Sequence, residues 1–455
     1  MRNRNMALAL VTLGLSLLLS GCVFRSVDEL YAVPAPPQDY EALQACLSEV
    51  IAQGGEYAAP LSGDLIQSVQ LQDLDGDGRQ EAIAFFRISG DEKPMKIYIF
   101  RQSGSSYQTM SVIEGAATAI NSIEYVQMDE DPFRELVVSW QMNTSRALSV
   151  YSVGNEVVEL LRTDYDAYKL WDLDQDNRQE LIIFRTPSES LIPRLELYDY
   201  EGTLTMAGAA ALSNGGVIGG DGLAKSDYLK SVQTGYLSDR TPAIFATLSY
   251  AESGEITDIF VVQNGRPKNV TLDATTYESG ETVRYYTQAP IMDVNGDGIM
   301  EVPQPVPMTE YRRTGNMVNF WLVRWRQFDS AGQAQVVMST YYNGRDGWYF
   351  EIPEEWEKNL ILSRSDLSGG GEQAVTFSYW SGVEGEDPLP FLTIYKLTGT
   401  NRVSRSKRAG RFNITPARAD DSVIYAAEFR NGWDSGLSEE DVKTRFAVVR
   451  TDWYS

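Results

Sequence analysis

One nine-residue acidic pattern recurs along this 455-residue chain and restricts its architecture more than any other feature. It reads Asp73-Leu74-Asp75-Gly76-Asp77-Gly78-Arg79-Gln80-Glu81, and returns as Asp172-Leu173-Asp174-Gln175-Asp176-Asn177-Arg178-Gln179-Glu180. A third copy is Asp293-Val294-Asn295-Gly296-Asp297-Gly298-Ile299-Met300-Glu301. Oxygen-bearing side chains stand at positions 1, 3, 5 and 9, and position 6 is Gly78, Asn177 or Gly298, residue types that tolerate a positive φ. A degenerate copy, Gln127 to Glu135 with Pro132 at position 6, lies between the first two; a segment from Ser231 to Phe245 keeps the flanking runs but shortens the loop.

A tightly wound loop of this kind supplies the six to eight oxygens, at about 2.3–2.6 Å, that a hard cation such as Ca²⁺ requires. The ligand set expected from the pattern is Asp73, Asp75, Asp77 and Glu81; Asp172, Asp174, Asp176 and Glu180; and Asp293, Asn295, Asp297 and Glu301. An EF-hand would carry its bidentate acid at position 12 between two helices. Here position 12 is Ala84, Ile183 or Gln304, and the flanks have the alternation and apolar runs of strands. Solvated Asp-Gly turns are the metal-free alternative; that alternative is favoured for 127–135 and strongly so for the repeat at 231.

Each loop opens a run of four strands. In the first unit they are expected at about 65–73, 81–88, 95–102 and 106–113, with further quartets from about 121, 166, 229 and 288. Four-stranded units at such a spacing suit a β-propeller, in which each blade buries its faces on its neighbours. The loops and period resemble the FG-GAP/VCBS family of calcium-loop propellers. The expected fold is therefore mainly β: a propeller of about five four-stranded blades over 56–344, then a smaller α/β or β-rich domain over 345–455. Pro303, Pro305 and Pro307 alternate, so three amide donors are missing along one side of a strand; an unpaired edge or a polyproline-like segment is expected there.

The N-terminus has Arg2 and Arg4, an apolar run from Met6 to Leu19, and Leu19-Ser20-Gly21-Cys22. This is the layout of a secretory signal. Its last four residues resemble the lipobox of bacterial lipoproteins, which implies a signal peptide over 1–21 and acylation of Cys22; an ordinary cleaved signal is the alternative. Residues 22–37, with Pro34, Pro36 and Pro37, read as a tether. A helix is expected over 38–55, capped by Asp39, its apolar face formed by Leu43, Cys46, Leu47, Val50 and Ile51. The resemblance implies a chain lipid-anchored to the outer face of the cytoplasmic membrane, of the kind known from Gram-positive bacteria.

Near the C-terminus, the stretch Trp348 to Trp356 resembles the opening of PsbP-like α/β domains, which include accessory and binding proteins. Strands are expected at 359–364, 373–380 and 390–397, a short helix at 441–446 and a last strand at 446–451. Arg402, Arg405, Lys407, Arg408 and Arg411 form a basic cluster, read as a solvated loop in preference to a contact with lipid, wall polymer or the chain's own propeller.

Composition narrows the function classes. There is no histidine, which excludes Ser-His-Asp and Cys-His catalysis and HExxH zinc chemistry. The net charge of −24 argues against nucleic acid as a partner. The expected function is a non-catalytic, membrane-anchored binding or scaffolding lipoprotein stabilised by Ca²⁺ loops, with an unidentified protein or glycan partner. The alternative is a carboxylate-based glycan hydrolase or lyase, for which two acids suffice; Trp140 or Trp171 would then stack on sugar. A two-lobed transporter solute receptor is disfavoured by the scarcity of helical patterns. Alternating Trp321, Val323 and Trp325 read as sheet packing.

Overall fold

A computed structural model describes residues 38–449 apart from 105, 144, 155, 188–191, 215–227, 309–319, 368–370 and 418–419. The expected signal, Cys22 and the tether lie outside the described residues. Among those residues, no helix is long and apolar enough to cross a membrane.

The chain is mainly β, with six antiparallel sheets of four or five strands among the described residues. The first sheet joins β1 (Gly55–Tyr57), β2 (Val69–Gln72), β3 (Glu81–Ile88), β4 (Met95–Ser103) and β5 (Ser106–Gly115); β1 and β2 both pair with β3. The second runs β6 (Ala119–Val126), β7 (Glu135–Gln141), β8 (Arg146–Val153), β9 (Val157–Asp164). The third runs β10 (Ala167–Trp171), β11 (Glu180–Arg185), β12 (Arg194–Tyr200), β13 (Leu204–Ala211). The fourth runs β14 (Leu229–Tyr236), β15 (Pro242–Tyr250), β16 (Gly254–Gln263), β17 (Arg266–Asn269). These strands begin close to where the repeat places them.

Burial explains why the second strand of each quartet is an unbroken apolar run. Ala82 to Phe86, Leu136 to Val138, Leu181 to Phe184 and Ala243 to Ala246 are fully buried, so both faces of these strands are covered. A strand wet on one face would alternate instead. The fourth strands β5, β9 and β13 are mostly exposed or half-buried.

The fifth sheet orders β18 (Val302–Pro307), β19 (Trp321–Phe328), β20 (Ala334–Asn343), β21 (Trp348–Glu351) and β27 (Phe446–Val448). It runs across residue 344 and takes its last strand from near the C-terminus. Among the described strands, the proline-bearing β18 pairs with β19 alone and forms the sheet edge, as the missing donors require. Val323 and Trp325 are fully buried in the packing of this sheet, and Trp321 stacks on Tyr286 with ring centroids 5.7 Å apart. The sixth sheet holds β22 (Leu360–Leu367), β23 (Glu372–Tyr379), β24 (Leu389–Leu397), β25 (Arg411–Asn413) and β26 (Ile424–Phe429). Two short helices, α2 (Arg402–Ser406) and α3 (Glu439–Arg445), accompany it, the latter opened by a capping box between Ser438 and Asp441.

Two compact units are present, one of residues up to 125 with 132–145 and 151–159, the other of 126–131, 146–150 and 160 onward. In the first, helix α1 (Gln38–Ala52) seats Leu43, Leu47 and Val50 on Ala84, Phe86 and Phe100. Two details of the expected helix are corrected. Asp39 lies inside the first turn, because the helix already begins at Gln38, and Ile51 is 46% exposed although its neighbour Val50 is packed in the core. Cys46 is half-buried, its Sγ donating to the Tyr107 carbonyl at 3.3 Å, and burial pushes its thiol pKa up. In the second unit, one core joins the third and fourth sheets through Ile182, Phe184, Leu195, Ile244 and Phe260. Another joins the fifth and sixth through Trp348, Phe350, Phe377 and Phe391.

Candidate metal centre

Two of the acidic loops bridge the first and second strands of a sheet: Asp73–Gln80 joins β2 to β3, and Asp172–Gln179 joins β10 to β11. The third precedes β18 and is closed by an isolated antiparallel bridge between Met292 and Glu301. The flanks are strands, so the helix-loop-helix alternative is excluded by geometry as well as by spacing.

The three loops share one hydrogen-bond plan. The position-9 glutamate turns back and accepts the backbone N–H of position 2: Leu74 to Glu81 at 3.0 Å, Leu173 to Glu180 at 2.6 Å and Val294 to Glu301 at 2.7 Å. The position-1 aspartate accepts from the N–H of position 6, with Gly78 to Asp73 at 3.0 Å, Asn177 to Asp172 at 2.9 Å and Gly298 to Asp293 at 2.9 Å. Position 5 accepts from position 7 at 2.8 Å in every case. These bonds fold the side chains inward around a common centre.

Left-handed backbone occurs at two positions of the loop. Position 6 has φ of 85°, 67° and 82° at Gly78, Asn177 and Gly298, as expected. Position 4 has φ of 71°, 68° and 77° at Gly76, Gln175 and Gly296, and the sequence reading had assigned it no such role. Gln175 holds this conformation with a Cβ, at a cost of about 1–2 kcal/mol.

Carboxylate oxygens within 4.8 Å of one another are contributed by Asp172, Asp174, Asp176 and Glu180, by Asp73, Asp75 and Glu81, and by Asp293, Asp297 and Glu301. Asp77 stands outside the first grouping, although it accepts the same position-7 amide as Asp176 and Asp297 do. Asn295 adds an amide oxygen that accepts the Asp297 N–H at 3.0 Å, while its amide nitrogen donates to Asp297 Oδ2 at 3.0 Å. All donors are oxygens, which fits a hard cation and not zinc or copper.

The glutamates carry the electrostatic signature. Glu81, Glu180 and Glu301 are each at most 2% exposed, and burial, reinforced by neighbouring aspartates, raises all three carboxyl pKa values. Glu180 is pushed up to about 8 and Glu301 to about 7. Negative charge is concentrated here without an equal internal counter-charge.

The strand that pairs next beyond each loop (β4, β12 and β19) places one further residue against the glutamate. From the register Ala82↔Phe100, Leu181↔Tyr198 and Val302↔Arg326, the residues opposite Glu81, Glu180 and Glu301 are Arg101, Asp199 and Gln327. Arg101 reaches Asp75 Oδ2 at 3.0 Å and Glu81 Oε1 at 3.6 Å. Gln327 donates to Asp297 Oδ2 at 2.8 Å and Glu301 Oε1 at 2.7 Å. Asp199 instead adds negative charge beside Asp174 and Glu180. The spacing of the loops alone gives no hint of these three; counting back along the paired strand from each hairpin would have found them.

The degenerate copy differs in kind. Gln127 Nε2 donates to the carbonyls of Asp129 and Asp131 at 3.1 and 2.5 Å, so an amide nitrogen satisfies oxygens that a cation would otherwise draw in. In the shortened repeat, the Leu237 N–H closes directly on the Thr241 carbonyl at 2.9 Å, and Arg240 donates to the Asp297 carbonyl at 3.0 Å.

Comparison with known protein families and with curated proteins finds no match for the chain.

Two outcomes follow from this geometry. The metal-free chain loses stability as pH rises from about 5 to 8, because Glu180 and Glu301 keep their protons when folded and release them at ordinary carboxylate pH when unfolded. Saturating Ca²⁺ removes that decline, since a bound cation holds the carboxylates ionised. Denaturant midpoints at the two pH values, with chelator and with Ca²⁺, check both signs. Affinity for Ca²⁺ should also rank the second loop above the third and the third above the first. Arg101→Gln tightens the first site by about tenfold, the effect of removing one close opposing charge, as read by calorimetric titration.

Proposed function

We propose that the chain is a non-catalytic, membrane-anchored extracytoplasmic binding or scaffolding lipoprotein, held to the membrane through acylated Cys22, whose repeat body is stabilised by Ca²⁺. The observation that carries this reading is the threefold recurrence of one oxygen-only loop with a buried, high-pKa glutamate at its centre. Asp73, Asp75, Asp77 and Glu81, Asp172, Asp174, Asp176 and Glu180, and Asp293, Asn295, Asp297 and Glu301 would hold the ions. Bound Ca²⁺ supplies counter-charge and ties the strands on either side of each loop. Free Cys46 has no second described cysteine to pair with, so the loops do the stapling that disulfides give many exported proteins.

The first five sheets are proposed to be the blades of an FG-GAP/VCBS-like propeller. Support comes from a recurring backbone bond between successive repeats: Arg134 N–H to the Leu74 carbonyl at 2.8 Å, Gln179 to Gln127 at 2.8 Å and Met300 to Tyr236 at 3.0 Å. In each, the residue just before β7, β11 or the position-9 glutamate of the third loop donates to the preceding repeat. The buried second strands and exposed fourth strands add to it.

No observation favours the hydrolase alternative. Trp140 is 1% exposed and faces Gly115 inside the core, where an added Cβ would lie 2.5 Å from its ring. Trp171 packs edge-on against Tyr236 at 5.8 Å.

Cross-linking on intact cells tests the reading. The full chain should capture a defined protein or glycan in Ca²⁺ and lose it in chelator, and Cys22→Ala should move the chain from the membrane fraction to the medium. A Cys22→Ala chain that stays with the membrane, or turnover of a glycan by the purified protein, would refute it.

A further inference from the structure

At the tip of the β15–β16 hairpin, three side chains of the second unit meet. Tyr250 and Tyr285 stand with ring centroids 6.4 Å apart and planes at 64°, so their faces form two sides of a corner. The Tyr250 hydroxyl donates to Glu278 Oε2 at 3.2 Å, which sets a carboxylate beside the same pair. The surrounding backbone holds the group in place. The Tyr285 ring lies against Gly254, where an added Cβ would stand 3.1 Å from its Cδ1, and the neighbouring Arg284 and Glu255 exchange both backbone hydrogen bonds at 2.8 and 2.9 Å. Glu278 ends a closed loop: its carbonyl accepts the Asp273 N–H at 3.1 Å, and the Tyr277 N–H donates to the Asp273 carbonyl at 2.9 Å. Tyr277 takes a left-handed φ of 56° there, a conformation unfavourable for a bulky residue. On the other side Ser279 is fully buried, its Oγ donating to Asp258 Oδ1 at 2.6 Å. The Tyr285 ring is thus fixed at the surface while it stays 59% exposed.

Charge selects the ligand. Over residues 250–286, six acids stand against Arg266, Lys268 and Arg284, and Arg326 adds one cation beside Glu281. Counted in full, acids lead six to four. Arg266 and Lys268 lie on β17, which pairs with the far end of β16, and Arg284 and Arg326 are buried, whereas Glu252 and Glu281 are exposed. An anion is therefore repelled, and a tyrosine face attracts a cation placed within about 6 Å of its ring centroid. Ring faces offer no hydrogen-bond acceptor of the carbonyl kind, which favours an ammonium clothed in methyl groups over one carrying N–H bonds. A sugar also stacks on a ring face but gains nothing from the net charge.

We propose that this corner binds a small quaternary ammonium cation, its methyl groups on the faces of Tyr250 and Tyr285 and its charge beside Glu278. The site goes beyond the scaffold reading and requires neither Ca²⁺ in the loops nor an acyl group on Cys22.

Isothermal titration of the full chain in a polyoxyethylene detergent tests it, with choline as probe and 3,3-dimethyl-1-butanol as its uncharged isostere. Choline is expected to bind, and the isostere at least about tenfold more weakly, the scale of a cation–π contact sheltered from water. Tyr285→Ala and Glu278→Gln should each weaken choline by at least about fivefold, and Tyr285→Phe, which keeps the ring, should retain it. Tyr285 is exposed, so the melting temperature of Tyr285→Ala should match the parent and show that the fold is intact. Absence of choline binding, equal binding of the isostere, binding unchanged in both Tyr285→Ala and Glu278→Gln, or tighter binding of N-acetylglucosamine than of choline would each overturn the proposal. Repeating the titration in chelator separates the two readings: a chain whose melting ignores Ca²⁺ but which still binds choline refutes the loop reading alone.

Discussion

Chelation of divalent cations is expected to lower the melting temperature of the chain by about 10 °C. Extracellular modules with loops of this kind bind Ca²⁺ at roughly 10⁻⁴–10⁻³ M. At a free concentration tenfold above the dissociation constant, one site adds about 1.4 kcal/mol, and the three loops together about 4 kcal/mol. For bodies of this size each kcal/mol is worth about 2–4 °C. The sign is firm on physical grounds: without a cation, Asp172, Asp174 and Asp176 crowd together at the mouth of a buried strand, beside a Glu180 carboxyl that can stay buried only by keeping its proton. Differential scanning calorimetry with Ca²⁺, with Mg²⁺ and with chelator measures it; Mg²⁺ should restore little, because it demands rigid octahedral geometry and sheds water reluctantly.

The second large effect is independent of metal. Glu372→Gln is expected to destabilise the chain by roughly 3–5 kcal/mol, the usual cost of breaking a buried ion pair from one side. Three arginines of the basic cluster converge on this carboxylate, 4% exposed: Arg411 at 2.7 Å, Arg408 at 3.3 Å and Arg405 at 4.0 Å. Arg411 also lies over the Tyr395 ring, 3.6 Å from its centroid, and its side chain is 6% exposed. With the charge removed, the Arg411 side chain keeps only the more distant Glu428 carboxylate at 3.9 Å, and half-buried Arg405 loses its counter-charge. Hydrogen bonding from Arg411 holds the Glu372 carboxyl below its ordinary value. Its contribution is therefore present above pH 4.5 and lost as pH falls through the lowered value. Urea midpoints check the size, and Lys407→Gln, at an exposed position of the same cluster, should leave the midpoint unchanged.

The basic cluster also marks a limit of local reading. Five cations within ten residues look like a solvated loop, and Lys407 and Arg408 do face solvent. What turns Arg405 and Arg411 inward is Glu372 on β23, more than thirty residues earlier, and nothing near 402–411 announces it. The same reason hid Arg101, Asp199 and Gln327, whose place opposite the loop glutamates is fixed by strand register. It also hid the partner of the expected last strand: β27 pairs with β21, almost a hundred residues earlier. The loops themselves were legible because their geometry is local: every candidate ligand lies within nine residues, and each turn is built by hydrogen bonds between near neighbours. The strands were legible because burial on both faces leaves continuous apolar runs such as Leu181 to Phe184. At 127–135, Gln127 in place of an acid and Pro132 at position 6 favour a metal-free loop; in the structure the Gln127 amide nitrogen is bonded to two loop carbonyls.

A Ca²⁺ titration of the full, chelator-stripped chain tests the central claim most directly. The account predicts three bound ions per chain, the tightest lost in Glu180→Gln, which leaves two. No bound Ca²⁺ at millimolar concentration, or three ions still bound in Glu180→Gln, would contradict it.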